Sequence, residues 1–149
     1  MPETSVDGHY DSQGNARLTF LLIGRKSSIT LDAIIDTGFT GFVQTSPEVG
    51  AAIGLPDLKR VIPVTLADGS TISSGFSVST ARFMEMAKPG MVVMPAGSHV
   101  TLVGMEFLRT FEVGLVISRS TGVLLAAEHL LAEILEQGRS ADSDEIDEP

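Results

Sequence analysis

The 149-residue chain contains no cysteine. That absence removes disulfides, thiolate zinc ligands and a cysteine nucleophile, and it is compatible with a reducing compartment. Basic residues are also scarce, with 10 Lys and Arg against 19 Asp and Glu and a formal net charge of −9. There is no basic stripe and no set of aromatics stacked among the cations, so nucleic acid is disfavoured as a partner. No apolar run approaches the roughly 20 residues a membrane-spanning helix needs. The N-terminus, MPETSVDGHYDSQGNAR, lacks a basic region followed by an apolar one, so no secretory signal is expected. His9, His99 and His129 are scattered without metal-ligand spacing, and no metal or other cofactor is expected. These absences describe a soluble, cytoplasmic protein.

Aromatics make up only 5% of the chain and hydrophobic residues 43%, so an aliphatic core is expected in a chain about the length of one ordinary domain. Part of the acidity is local. The segment RSADSDEIDEP, residues 139–149, holds five acids and one Arg, which leaves 14 acids and 9 bases over the rest. Such a terminus reads as a disordered, solvated tail. Residues 1–16 read as a flexible N-terminal segment.

Between these ends the chain is a series of short β-rich runs. Leu18 to Gly24 and Ile29 to Ile35 flank Arg25-Lys26-Ser27-Ser28 and predict a hairpin. Ser46 as N-cap, Pro47 at the first helical position and the stop at Gly54 and Pro56 predict a helix of about two turns. The stretch VIPVTLADGSTISSGFSV, Val61 to Val78, predicts an exposed hairpin turning at Asp68-Gly69. Strands are expected at Met91 to Met94 and Val100 to Val103, with a turn around Pro95-Ala96-Gly97. A short helix is expected at Met105 to Thr110, and a hairpin from Phe111 to Ile117 and Gly122 to Leu125. Ala127 to Gln137 carries Leu131, Ile134 and Leu135 at helical spacing, with Gly138 as its stop. The methionines read as fillers of core or pocket gaps.

The run IIDTGFTGFV, Ile34 to Val43, places one carboxylate at the end of a strand between two apolar stretches. An unpaired charge held partly inside a fold costs several kcal/mol in effective terms, about 3–5 when a partner is lost, so Asp36 needs compensation. Asp36 could be a turn residue with Thr37 and Gly38 as turn formers. It could be a phosphorylated aspartate, but the further acids or the following Lys which that chemistry wants are missing. Asp32 is expected on the solvent face of its strand, and Asp68 as a turn former. A third reading is a two-fold dimer that brings Asp36 to its own copy. Two carboxylates about 3 Å apart cannot both ionise and would share a proton. One can then take a proton from water while the other donates to a peptide carbonyl oxygen.

The same run resembles the active-site loop of the retropepsin-like aspartic proteases, and within them the bacterial and archaeal subgroup whose loop reads DTGF. TLVGMEFL, Thr101 to Leu108, resembles the second signature of that clan, often LLGMDFL, and VTLADGS, Val64 to Ser70, falls where the family has its flap. The resemblance implies an all-β dominated chain. Its residues 17–126 would form a retropepsin-like closed β-barrel with one short helix after the Gly104 motif, while the C-terminal helix read from spacing, residues 127–138, is an addition that departs from the family pattern. It further implies a homodimeric aspartic endopeptidase acting on peptide or unfolded protein. Asp36 would be the catalytic acid and base, Thr37 would reach across the dimer axis, and Gly38 would admit the substrate. Val103 and Gly104 would brace the loop, and Ala67, Asp68, Gly69 and Ser70 would close over the peptide. Phe39 stands where many relatives have Ala, Ser or Thr, which implies a less acidic working range than that of pepsin-like enzymes. A dimeric barrel that binds peptide or serves assembly without catalysis is the competing expectation.

Overall fold

The computed structural model describes residues 5–56, 61–66, 68–120, 122–133 and 135–137. Its elements in chain order are β1 (Ser5–Asp7), β2 (His9–Tyr10), β3 (Ala16–Ile23), β4 (Ser28–Ile35), β5 (Val43–Gln44), α1 (Pro47–Ile53), β6 (Val61–Thr65), β7 (Thr71–Phe83), β8 (Met86–Met94), β9 (Leu102–Val103), α2 (Met105–Thr110), β10 (Val113–Ser118) and β11 (Gly122–Ala127). No helix among the described residues is long and apolar enough to cross a membrane.

The first hairpin follows from period-two alternation. Leu18, Phe20 and Leu22 of β3 face Ala33, Leu31 and Ile29 of β4, while the Thr19–Asp32 pair between them points to solvent. Asp32 is thus exposed, 3.2 Å from His9 Nε2. The expected capping of α1 is present. The Ser46 hydroxyl accepts the Val49 N–H at 3.2 Å, Pro47 occupies the first turn, and Gly54 ends the helix at φ 76°.

Six strands close into a ring. From β3 the order runs through β4, β9, β5, β8 and β7, and β7 returns to β3 through Leu21–Arg82, Leu22–Ala81 and Ile23–Thr80. Closure removes the free edges an open sheet would leave. The core inside is aliphatic except at one place, where Phe20, Phe42, Phe83, Phe107 and Phe111 meet in a cluster, with Phe107 and Phe111 at 4.7 Å between ring centroids. Burying each such ring stabilises the fold by about 1.5–3 kcal/mol. Two of the five lie on α2 or at its end, so the short helix plugs the barrel.

Strand β8 begins five residues before the Met91 expected from the sequence, because β7 and β8 are joined by a tight turn at Met84 and Glu85. Both residues have positive φ, 52° and 64°, and neither is a residue type that signals such a turn. Strand β9 is shorter than expected, and Phe111 caps α2 rather than opening the next strand.

Residues 5–7 and 9–10 form strands where the sequence reading expected a flexible segment. β1 pairs with β11, and with β10 they form a second, three-stranded sheet, while β2 pairs with the start of β3. Asp11 fastens this region, accepting from Arg17 Nε at 2.7 Å and from the Gln13 and Asn15 N–H groups at 2.9 Å. Residues 128–133 and 135–137 are helical, as expected, and Leu131 packs on Gly114 of β10. Ile134, Gly138 and the acidic residues 139–149 lie outside the described residues.

Candidate active site

The loop of residues 36–42 connects β4 to β5, and β9 lies between those two strands. Ile35 pairs with Val103 in parallel, and Val103 pairs with Val43 on its other side. The loop therefore arches over the end of β9, and the chain leaving β9 must pass beneath it. Gly104 is the residue that passes. A Cβ there would lie 2.7 Å from the Phe39 ring and inside contact distance of the Phe39 and Gly41 carbonyl oxygens. Only glycine fits this crossing without a backbone shift.

The crossing also solves a capping problem. Gly104 offers no side chain to cap α2, so the first N–H groups of the helix need other acceptors. The loop supplies them. Met105 N–H donates to the Phe39 carbonyl at 2.9 Å, and Glu106 N–H to the Thr40 and Gly41 carbonyls at 3.3 and 3.2 Å. Gly104 N–H donates to the Phe42 carbonyl at 3.2 Å, and Asp36 N–H to the Val103 carbonyl at 2.9 Å. Loop and helix thus hold each other.

Within this frame Asp36 is half-buried. Its Oδ1 accepts the Gly38 N–H at 3.0 Å, and its carbonyl accepts the Phe39 N–H at 3.1 Å, which fixes a tight turn at the strand end. A Cβ on Gly38 would come within 3.3 Å of Oδ1, so glycine leaves the carboxylate clear on that side. The Phe39 ring folds back over Gly41, where a Cβ would stand 2.5 Å from it. The glycine after Thr40 therefore makes room for Phe39.

Asp36, Gly38 and Phe39 border a cavity of about 810 Å3. Strand β6 contributes Ile62, Pro63, Val64 and Thr65 to it, with Leu66 following, and β8 contributes Met91 and Val93. Asp36 is the one ionisable side chain among the described residues that line it. Its volume is in the usual range for ligand pockets, and the described lining mixes apolar side chains with the polar Thr40, Gln44 and Thr65 and the Asp36 carboxylate.

The sequence-predicted residues divide accordingly. Asp36, Gly38 and Phe39 come together at the cavity, with Val103 and Gly104 directly behind. Thr37 is exposed and is not among the lining residues. Asp68, Gly69 and Ser70 form the hairpin tip outside the lining, and Ala67 lies outside the described residues. Asp68 there acts as a turn former: its Oδ1 accepts both the hydroxyl and, at 2.8 Å, the N–H of Ser70, which hold its carboxyl below the usual range. Gly69 follows at φ 86°. The cavity wall is the strand rather than its tip. All five residues 62–66 line the cavity, Pro63 and Thr65 as well as the half-buried Ile62 and Val64, so no period-two alternation marks this wall in the sequence.

No protein-family model matches the chain, and no curated protein matches it in sequence. In structure it is similar to a retropepsin-like aspartic protease from Rickettsia conorii, with a TM-score of 0.62, 14% identity, and coverage of 85% of this chain and 94% of that one. At that identity the likeness shows the fold, a retropepsin-like closed β-barrel.

Proposed function

We propose that this chain is one half of a homodimeric aspartic endopeptidase, its site completed when two copies bring their Asp36 carboxylates together. The observation that carries the reading is the placement of Asp36. It is a half-buried carboxylate on a loop locked to α2, at the border of a cavity walled in part by strand β6, in a retropepsin-like barrel. The DTGF wording of the loop assigns the chain, on the same reading, to the bacterial and archaeal subgroup of that clan.

One carboxylate can accept a proton or donate one, but peptide hydrolysis needs both at once. A pair sharing a single proton supplies both. The ionised member takes a proton from a water as its oxygen attacks the peptide carbonyl carbon, and the protonated member donates to the carbonyl oxygen. A proton then returns to the departing amine as the C–N bond breaks. The rigid turn around Gly38 keeps the carboxylate from rotating away, and a peptide seated in the cavity displaces water from it, which strengthens each of these interactions. The β6 hairpin closes over the peptide, with Ile62, Val64 and Leu66 meeting its side chains and the tip residues Asp68, Gly69 and Ser70 acting as the moving end.

The test is cleavage of a peptide library by the wild type and by Asp36→Asn, from about pH 3 to about pH 8. Cleavage by the wild type alone is expected. Equal cleavage by both, or none by either, ends the assignment and leaves a peptide-binding barrel as the reading.

A further inference from the structure

We infer that Met91 is an oxidation site that gates the cavity, so that conversion of its thioether to the sulfoxide weakens the binding of apolar peptides. The inference rests on the reading of this cavity as the peptide site, but not on its being catalytic.

Met91 differs from the other described methionines in where it stands. It is 44% exposed, whereas Met84 is 6% exposed, and Met86, Met94 and Met105 pack against the core. It is also the one methionine among the described residues that lines the cavity bordered by Asp36. On β8 it lies two residues from Val93, on the same face of the strand, and Val93 lines the same cavity and is buried. Across the β7–β8 ladder Met91 is paired with Val78, itself 57% exposed. The apolar wall therefore continues from Val93 through Met91 to Val78, running from the cavity out to solvent. Met91 occupies the position that both a peptide and a dissolved oxidant can reach.

The chemistry requires a peroxide as co-reactant. A lone pair on the Met91 sulfur attacks one peroxide oxygen, the O–O bond breaks, and an S–O bond forms. The other oxygen leaves as water after proton transfer, so sulfur is oxidised by two electrons and the peroxide is reduced. Susceptibility follows exposure, and the product replaces a flexible apolar side chain by a polar one. Among the described residues that line the cavity no cationic side chain is present to pair with the new oxygen, and the neutral side-chain donors are Thr40, Gln44 and Thr65. Closing an apolar peptide over it would press a strongly hydrated sulfoxide against aliphatic side chains and take water from it, which is costly.

The test exposes the full chain to hydrogen peroxide and follows each methionine by mass spectrometry of its peptides. Alongside, the affinity for a fluorescently labelled, uncleavable peptide of aliphatic residues is measured. Sulfoxide is expected at Met91 about tenfold faster than at Met84. Affinity should fall by about tenfold on oxidation of the wild type. It should return after treatment with methionine sulfoxide reductases, and Met91→Leu, whatever its own starting affinity, should show no further fall. Oxidation of Met91 no faster than of Met84, an unchanged affinity, or an equal fall in Met91→Leu would each overturn the inference. So would a reduced protein that does not bind the peptide at all. A reduced protein that binds but never cleaves would end the endopeptidase reading alone.

Discussion

Gly104 lies against Phe39 so closely that a β-carbon on the glycine would stand 2.7 Å from the phenylalanine ring, while the Phe39 carbonyl accepts the N–H of the next residue, Met105, at 2.9 Å. The loop that carries Asp36 is thereby positioned from below by the chain that leaves β9. Gly104→Ala should push the loop off its helix. The added carbon meets backbone oxygens rather than the end of a flexible side chain, so relief requires a main-chain shift. A loss of about 1–3 kcal/mol in urea unfolding is expected, together with a fall in peptide cleavage larger than the folded fraction explains. Unchanged stability with unchanged cleavage would show that the crossing has slack.

Much of this arrangement is legible in the sequence because its signals are local. Ser46, Pro47 and Gly54 mark α1 by capping chemistry, Asp68-Gly69 marks a turn, and the strand running into Asp36-Thr37-Gly38 marks the candidate site. What is not legible depends on contacts distant in sequence. The Leu21–Arg82 pairing that closes the ring has no local signature, and the wall of Ile62, Val64 and Leu66 becomes part of the cavity only because closure brings β6 near the loop. The strands at Ser5–Asp7 and His9–Tyr10 are short and polar, and they form because β11 and β3 offer them edges.

The turn at Met84 and Glu85 shows a different kind of illegibility, a local preference overridden by packing. Met84 is buried in the core, which holds the turn in place, and exposed Glu85 follows at φ 64° with a conformation that L residues adopt at a cost. Glu85→Gly removes that cost without touching the core. We expect it to stabilise the protein by about 0.5–1 kcal/mol in denaturant unfolding, after allowance for the larger entropy of glycine in the unfolded chain. A destabilised variant would mean that the Glu85 side chain makes a compensating contribution.

Catalysis and folding should separate at Asp36. Asparagine retains an oxygen able to accept the Gly38 N–H, so Asp36→Asn is expected to unfold within about 0.5 kcal/mol of the wild type while losing at least about a hundredfold in turnover. Asp36→Ala loses the acceptor as well and should cost up to about 1 kcal/mol. Matching stability losses in the two variants would place the structural role of Asp36 elsewhere than in that hydrogen bond.

Asp11 should make stability depend on acid. Its hydrogen bond from Arg17, followed by those from the Asn15 and Gln13 backbone and the Asn15 side chain, hold its carboxyl far below the usual value near 3.8. The folded state therefore binds this proton more weakly than the unfolded chain does. The stabilisation is fully present above the unfolded value and fades as pH falls below about 4 toward the folded one. Asp68, lowered by Ser70, acts in the same direction. Asp11→Asn should melt below the wild type at neutral pH, and the gap should narrow steadily below about pH 4. A gap independent of pH would trace the effect to lost packing.

A cavity with one carboxylate among the described residues that line it makes a quantitative demand on assembly. If the reactive unit needs Asp36 from both copies, a wild-type chain paired with an Asp36→Asn chain is silent, and the two kinds of chain compete for partners. Exchange at equal concentrations pairs about half of the wild-type chains with inactive ones. Cleavage per wild-type chain should then fall to about half, and further as Asp36→Asn is added in excess. Buffer or an unrelated barrel should have no such effect. If each chain acts alone, the added variant changes nothing, and a second group within the same chain must supply the acid. The mixing experiment thus separates a shared site from a self-sufficient one without knowledge of the natural substrate, because any cleavable peptide reports the loss.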